Sequence, residues 1–575
     1  MQRAGARLHT WAMPGGLTVA DNLAQLWRSF SLEYELFRSV IGWVPRIASF
    51  EVKCMLVEHL HEDMRRTRAL RERIADFGVF APERQIDQGL ANLVRHLLQA
   101  PFDGALIGAF YRVLKVAQAG AYRQHLQVTL RLNDAPTVAV LEDHLPRLDR
   151  QIAWAKALLE GPGLPSALVP EVDAFEAEIR AHLEALGGLF RVTGRARTDI
   201  TGGSSIAELE ASLAGTMSPD DIAELTANAM AWRSSHPLQG AGHAVSSMES
   251  PHPPTPPPTI PAYPQYVRPR VMALEPRFVR QTADRQHDEP WKDDILAVAA
   301  YTHFTELPVV DICAAIVYDG RDIVGLGADR GGEEVGEEAP PPEDPAEAAK
   351  LAEARAKYER AVQRAQEKRA RGEGLRQDDG RPPAHAQDAA EPAARPASSA
   401  AEMPFEFFCD FVRQTWDEVR HTRMGFERLQ ALGIDPYRVA IPLGHYAVWG
   451  NLPLRDRIAS LTQVGEACSF KGKREWVAAA HARGEWLSAL EHDYDMVDEK
   501  NHVRFGARWL PEIMRRLGDP RTPEEVVQEA DWTFRRRLNA IKRDMGEAWK
   551  AVLGNKFLGC GTQTSDVTLA PEIIA

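Results

Sequence analysis

The chain has 575 residues, of which 44% are apolar, a formal net charge of −13 and a pI near 5.8. That length calls for two or three domains with linkers, and that composition is enough to bury real cores. The acidic balance argues against a surface built to hold nucleic acid, no run approaches the roughly 18 apolar residues of a membrane span, and Met1 to Thr18 lack the apolar core of a signal peptide.

Residues 19–235 read as helix after helix, with apolar residues recurring at three- and four-residue spacing in Leu36 to Ile47, Phe50 to Ile74 and Val138 to Leu159. Within them, 19–160 form one bundle-sized block and 161–235 additional helices. Residues 236–285 change character. The run from His252 to Pro261 is mostly proline, which removes the amide donor and fixes φ, so this stretch is expected to be an extended linker. Helical pattern resumes near Trp291 and reaches Tyr318, within a segment 286–328. Pro308 should kink or split that helix. Residues 329–403 are rich in Ala, Glu, Arg, Pro and Gly. They carry too little apolar surface to offset ordering entropy, so a mobile charged insertion is expected, although Pro345 to Arg371 could form a solvated helix. Strong helical pattern returns over 404–555. Convincing strands are few, and the fold class is all-α.

Two segments read Asp-Glu-x-x-His: Asp417-Glu418-Val-Arg-His421 and Asp498-Glu499-Lys-Asn-His502. Residues three apart on a helix share a face, so each Glu and His can aim at one centre. Glu-x-x-His on two helices, with one Glu from each of two others, is the ligand set of a di-iron carboxylate bundle. Four carboxylates offset and bridge two cations, and two imidazoles add one borderline-soft donor each. Asp417 and Asp498 are placed to accept from the imidazoles and orient them. Spacing supplies the other two ligands. Glu466 precedes Glu499 by 33 residues, about the length of a helical hairpin, and sits among Leu461, Val464 and Phe470, where an unpaired carboxylate is costly. Glu306 lies 112 residues before Glu418. Without the 75-residue insertion 37 remain, again a hairpin.

This pattern resembles the ferritin-like superfamily of di-iron oxidases and oxygenases, whose members include a tRNA hydroxylase and soluble monooxygenases. Tyr301-Thr-His303-Phe-Thr-Glu306-Leu307, with Asp311 following, is similar to the first-helix signature of a largely uncharacterised bacterial ferritin-like domain family. Asp498-Glu-Lys-Asn-His502-Val-Arg-Phe-Gly506 is similar to its last-helix signature. The resemblance covers about 291–315 and 405–515. It implies a ferritin-like four-helix bundle and a metal pair, and leaves the substrate open.

A degenerate first copy is also legible. Residues 50–78 align without gaps to 405–433 at an offset of 355, with ten identities in 29 positions where chance gives roughly two. The same offset pairs Glu418 and His421 with Asp63 and Arg66, Glu466 with Tyr111, and Glu499 and His502 with His144 and Arg147. Glu35 is the expected counterpart of Glu306. Arginine does not ligate metal. The first copy should therefore be metal-free, with two arginines near Glu35 and Asp63 in place of the metal charge. A rival pair in a shifted register is Glu58-x-x-His61.

Other features are expected to be structural. They are the glycine-rich stretches 202–205 and 325–332, the basic cluster around Arg535, and His445, Trp449 and Trp476 near the second bundle. The five cysteines (Cys54, Cys313, Cys409, Cys468, Cys560) lack Cys-x-x-Cys spacing and fit a reducing cytoplasm better than a disulfide framework. The functional expectation is a cytoplasmic, oxygen-dependent di-iron oxidase or oxygenase. Its ligands would be Glu306, Glu418, His421, Glu466, Glu499 and His502, and its partners dioxygen and a small-molecule substrate. A mixed iron–manganese or di-manganese pair suits the same ligands. The alternative is a ferritin-like metal-binding or scaffold protein without substrate chemistry.

Overall fold

The computed structural model describes residues 17–47, 49–161, 166–190, 279–280, 294–327, 345–371, 401–441, 449–450 and 452–545. These are helical, as expected. The exception is a two-residue parallel ladder of β1 (Val279–Arg280) and β2 (Ala440–Ile441), in which Val279 pairs with Ala440. The proline-rich run 252–261 and the glycine-rich stretch 202–205 lie outside the described residues. The chain divides into two compact units, Met1–Leu36 with Glu62–Ile260 and Phe37–His61 with Pro261–Ala575.

The helices that supply the first unit are α1 (Val19–Val40, up to Leu36), α2 (Phe50–Asp76, from Glu62), α3 (Gln88–Leu97), α4 (Asp103–Ile107), α5 (Val116–Val128), α6 (Ala135–Glu160) and α7 (Val169–Ala185). A π-helical segment, Gly108–Lys115, joins α4 to α5. Asp87 and Asp134 cap α3 and α6 by accepting from Leu90 and Thr137 amides, so the chain turns where its short acidic side chains satisfy otherwise orphaned donors. The core of this unit contains buried charge. Arg66 donates to Glu33 at 2.8 Å and to Asp63 at 2.7 Å, Lys115 pairs with Asp63, and Tyr122 donates to Glu33. Burial alone would raise the Asp63 carboxyl, but Lys115 and Arg66 outweigh it and hold it below the usual range. Burial pushes Lys115 down to about 8 against the pull of Asp63.

Two details differ from the sequence expectation. The carboxylate facing Arg66 is Glu33, where Glu35 was expected. The second cation is Lys115, while Arg147 turns outward to Asp143 at 3.4 Å. The reason is local. The π-helical segments Gly108–Lys115 and Ala459–Glu466 both end on the charged residue, at an offset of 351 and not 355, so Lys115 and not Tyr111 stands where the second unit has Glu466.

The helices of the second unit are α8 (Ile295–Phe304), α9 (Leu307–Asp319), α10 (Pro345–Ala370), α11 (Phe405–Ala431), α12 (Leu454–Ile458), α13 (Ala467–Ala482), α14 (Trp486–Leu517) and α15 (Pro523–Met545). Pro308 sits at the start of α9, and the helix breaks at Thr305 and Glu306. The stretch Ile295–Asp319 is long and apolar enough to cross a membrane, with an 18-residue window of mean hydropathy 1.3, yet 94% of that window is buried inside the protein. A helix packed on all sides needs apolar residues all round. Two buried ion pairs anchor α9: Lys53 with Asp311 at 2.6 Å and Arg457 with Asp319 at 2.8 Å.

The charged insertion contains a real helix, α10, where a mobile segment was favoured. Its Ala, Glu, Lys and Arg content is strongly helix-forming, and Arg355–Glu359 and Glu353–Lys357 pair across one turn. It packs on α15 through Tyr358 and Trp532, whose rings stack at 6.3 Å.

Close helix contact is made possible by glycine. A Cβ at Gly425 of α11 would meet the Ala300 carbonyl of α8 at 2.5 Å and the His303 carbonyl carbon at 2.8 Å. These are backbone atoms and cannot rotate aside. Gly425→Ala should therefore destabilise the protein by roughly 1–3 kcal/mol, read as a lowered Tm in thermal unfolding. An unchanged Tm would contradict this packing.

Candidate metal centre

Four helical elements of the second unit bring the predicted ligands together. Glu306 comes from the break between α8 and α9, Glu418 and His421 from α11, and Glu499 and His502 from α14. Glu466 ends a second π-helical segment, Ala459–Glu466, which runs between α12 and α13. The bulge rotates Glu466 inward, a common use of π-turns at functional sites. All six residues are buried. Their donor atoms form two groups, each within 4.8 Å: Glu418, Glu466, Glu499 and His502, and Glu306, His421 and Glu499.

The geometry is that of two adjoining ligand pockets. Glu418 lies between the imidazoles, with Oε1 at 3.4 Å from His502 Nδ1 and Oε2 at 3.9 Å from His421 Nδ1. His421 Nδ1 also faces Glu306 Oε2 at 3.1 Å, and His502 Nδ1 faces Glu499 Oε2 at 3.3 Å and Glu466 Oε1 at 3.7 Å. Each imidazole turns its other nitrogen to an aspartate on the opposite helix. His421 Nε2 faces Asp498 at 3.4 Å, and His502 Nε2 faces Asp417 at 3.5 Å. The two aspartates behind the imidazoles are thus the expected ones, used crosswise. Arg413 and Arg420 bind both: Arg413 lies 2.8 Å from Asp417 and 3.3 Å from Asp498, and Arg420 2.7 Å and 2.9 Å. Both guanidinium groups lie on the Trp416 ring.

Several contributors were missed in the sequence. Lys473 of α13 donates to Glu499 Oε1 at 2.5 Å and to Asp495 Oδ1 at 2.6 Å. Gln414 donates to Glu466 Oε1 at 2.7 Å. His303 and His492 flank Asp495. Part of this was visible. His492, Asp495, Glu499 and His502 follow one another at spacings of three, four and three, one face of a single helix, and His303 stands three before Glu306. Lys473 gave no such signal, because lysine usually marks a solvated face.

The remaining candidates take structural places. Trp449 is buried and donates to Ser460, and Trp476 packs against His492. Arg535 pairs with Asp531. The rival pair separates, with Glu58 facing Arg423 and His61 stacked on Trp416. Cys54, Cys313, Cys409 and Cys468 are buried and form no disulfide among the described residues. His445 and Cys560 lie outside the described residues.

The charge of the donor set bears on whether it can hold a metal pair. Glu306, Glu418, Glu466, Asp495, Glu499, Asp417 and Asp498 are seven buried carboxylates, and among the described residues the permanent cations paired with them are Lys473, Arg413 and Arg420. The deficit is four charges, which two divalent ions offset. Glu466 Oε2, Glu499 Oε2, His421 Nδ1 and His502 Nδ1 are buried without a hydrogen bond. Unsatisfied buried donors and acceptors of this kind are costly, and here they face the same small space. The residues therefore fit a dinuclear cation site.

Without metal the deficit is made up with protons. Burial, then Glu306, raises Glu418 well above the usual carboxyl range, and burial, then Glu499, raises Glu466. Burial opposes charging of His421, but Asp495, Asp498 and Glu306 outweigh it and hold it well above the usual imidazole range. Glu466, Asp417 and Glu499 do the same for His502. For Glu499, Lys473 outweighs burial and lowers it. Burial, then His303, keeps His492 well below the usual range.

No family model, no curated protein and no solved structure matches this chain. The assignment of the site rests on its own residues.

A ligand must shed its proton to bind a cation. Loading divalent metal near pH 7 should release roughly two to four protons per chain into weak buffer, and apparent affinity should weaken as pH falls. Loading without proton release would contradict the charge balance.

Proposed function

We propose that the second unit is a ferritin-like four-helix bundle holding a carboxylate-bridged di-iron pair, and that the protein is an oxygen-dependent oxidase or oxygenase acting on a small molecule. On this proposal the first unit is a duplicated, metal-free bundle. The observation that carries it is the paired geometry around Glu418, one oxygen toward each imidazole, in a pocket lacking four positive charges. The donor types are hard carboxylates with one imidazole per pocket, a set suited to iron or manganese.

Glu306 and His421 would hold one ion, Glu466 and His502 the other, with Glu418 and Glu499 between them. A bound iron pair supplies the redox equivalents for reducing dioxygen. The chain's own residues do the rest. Asp498 and Asp417 fix the ring orientation of His421 and His502, so each Nδ1 stays aimed at the centre. Gln414 holds one oxygen of Glu466 and leaves the other without a hydrogen bond, so that it could serve an ion. Lys473 Nζ pins Glu499 Oε1 and keeps a proton beside the site. Phe407, Phe411 and Phe505 cluster along α11 and α14 and help exclude water.

The first unit supports the duplication by contrast. Its π-helical segment ends in Lys115 where the other ends in Glu466, and Arg66 stands where the alignment places His421. Two fixed cations there neutralise Glu33 and Asp63 with no ion needed.

Anaerobic loading with Fe(II) followed by an oxygen pulse tests the reading. Oxygen consumption should exceed that of free Fe(II) by at least about tenfold and collapse in Glu418→Gln, a loss of about 1.4 kcal/mol or more of barrier lowering. Consumption equal to free Fe(II) would overturn the oxidase reading in favour of a non-catalytic metal-binding or scaffold protein.

A further inference from the structure

We propose that His303, His492 and Asp495 form a third, mononuclear site for a divalent first-row transition ion, beside the dinuclear centre and separate from it. The proposal goes beyond the oxidase reading and stands on its own residues.

Asp495 is a carboxylate with two differently used oxygens. Its Oδ1 accepts from Lys473 at 2.6 Å and faces His421 Nδ1 at 3.5 Å, on the side of the metal pair. Its Oδ2 faces away, to His303 Nε2 at 2.8 Å and His492 Nδ1 at 4.0 Å. The rings of His303 and His492 lie 4.1 Å apart at centroid. One donor atom from each of the three residues falls within a 4.8 Å group, separate from the two groups of the dinuclear site. Metal–ligand bonds near 2.1 Å place donor atoms roughly 3–3.5 Å apart, and the observed spacings bracket that range.

His492 supplies a second observation. It is 2% exposed, and its Nδ1 has no hydrogen bond although it faces Asp495. A buried imidazole nitrogen turned to a carboxylate it does not reach is poorly explained by packing alone, and an ion between them would satisfy both. Two imidazoles and one carboxylate, with open positions, suit Fe2+, Co2+ or Zn2+ better than Mg2+ or Ca2+. Trp476 closes one side at 5.2 Å from the His492 ring.

Charge orders the filling. Lys473 already balances Asp495 through its other oxygen, and the deficit of four charges is met by the first two ions. The third ion therefore binds more weakly and last.

The test is a Co2+ titration of metal-free full-length protein, followed by equilibrium dialysis and visible d–d absorption. The expected result is about three ions per chain, the third at least about tenfold weaker, with a distinct band. His492→Ala should bind one fewer and lose only that band. His303→Gln is the second variant, with far-UV circular dichroism checking that both fold. Glu418→Gln/Glu466→Gln should lose the tight pair and keep the third ion. Equal stoichiometry in the wild type and either folded histidine variant overturns the third site while leaving the pair intact. One ion in the wild type, lost in His492→Ala, supports the third site and removes the pair.

Discussion

A deficit of positive charge governs the second unit. Seven carboxylates are buried around one space and, among the described residues, Lys473, Arg413 and Arg420 are the permanent cations paired with them. Isolated ions cost several kcal/mol each in a protein interior, so such a cluster persists only if protons or metal ions complete it. The helices around it follow from that demand. Glu306 sits at a break in an otherwise apolar helix, Glu466 ends a π-turn, Gly425 lets α11 approach the backbone of α8, and Gly506 leaves room for the Thr462 and Gln463 side chains of the π-segment.

The first unit reaches neutrality by another route. Arg66 and Lys115 face Glu33 and Asp63, and Tyr122 completes the network. Salt bridges between side chains fixed at both ends rigidify a core but leave no open coordination position. On the proposed duplication, one scaffold carries two solutions to the same problem of buried carboxylates. One is closed and structural, and the other is open to ions.

Much of the site was legible because helical spacing is strict. The two Asp-Glu-x-x-His segments place their side chains on shared faces wherever the helices run, and the hairpin lengths locate Glu306 and Glu466. Pro308 announced its break. What spacing could not carry was local register. The two π-segments lie four residues out of step with the gapless alignment, which pointed to Tyr111 where Lys115 meets Asp63, and Glu35 was assigned by analogy with Glu306 where Glu33 faces Arg66. Lys473 was illegible for a chemical reason: a buried lysine looks like a solvated one until its carboxylate partners are seen in space. His303, His492 and Asp495 carried the right spacing but no repeated motif to single them out. The helix α10 was legible only as an alternative to a mobile insertion, since Ala, Glu, Lys and Arg serve disordered and helical segments alike.

If metal completes the second unit's buried carboxylates, elemental analysis of the purified full-length protein must find it. About two or more tightly held transition-metal ions per chain are expected, with the tight pair lost in Glu418→Ala/His502→Ala. Fewer than about one ion per chain, unchanged in that variant, would contradict completion by metal.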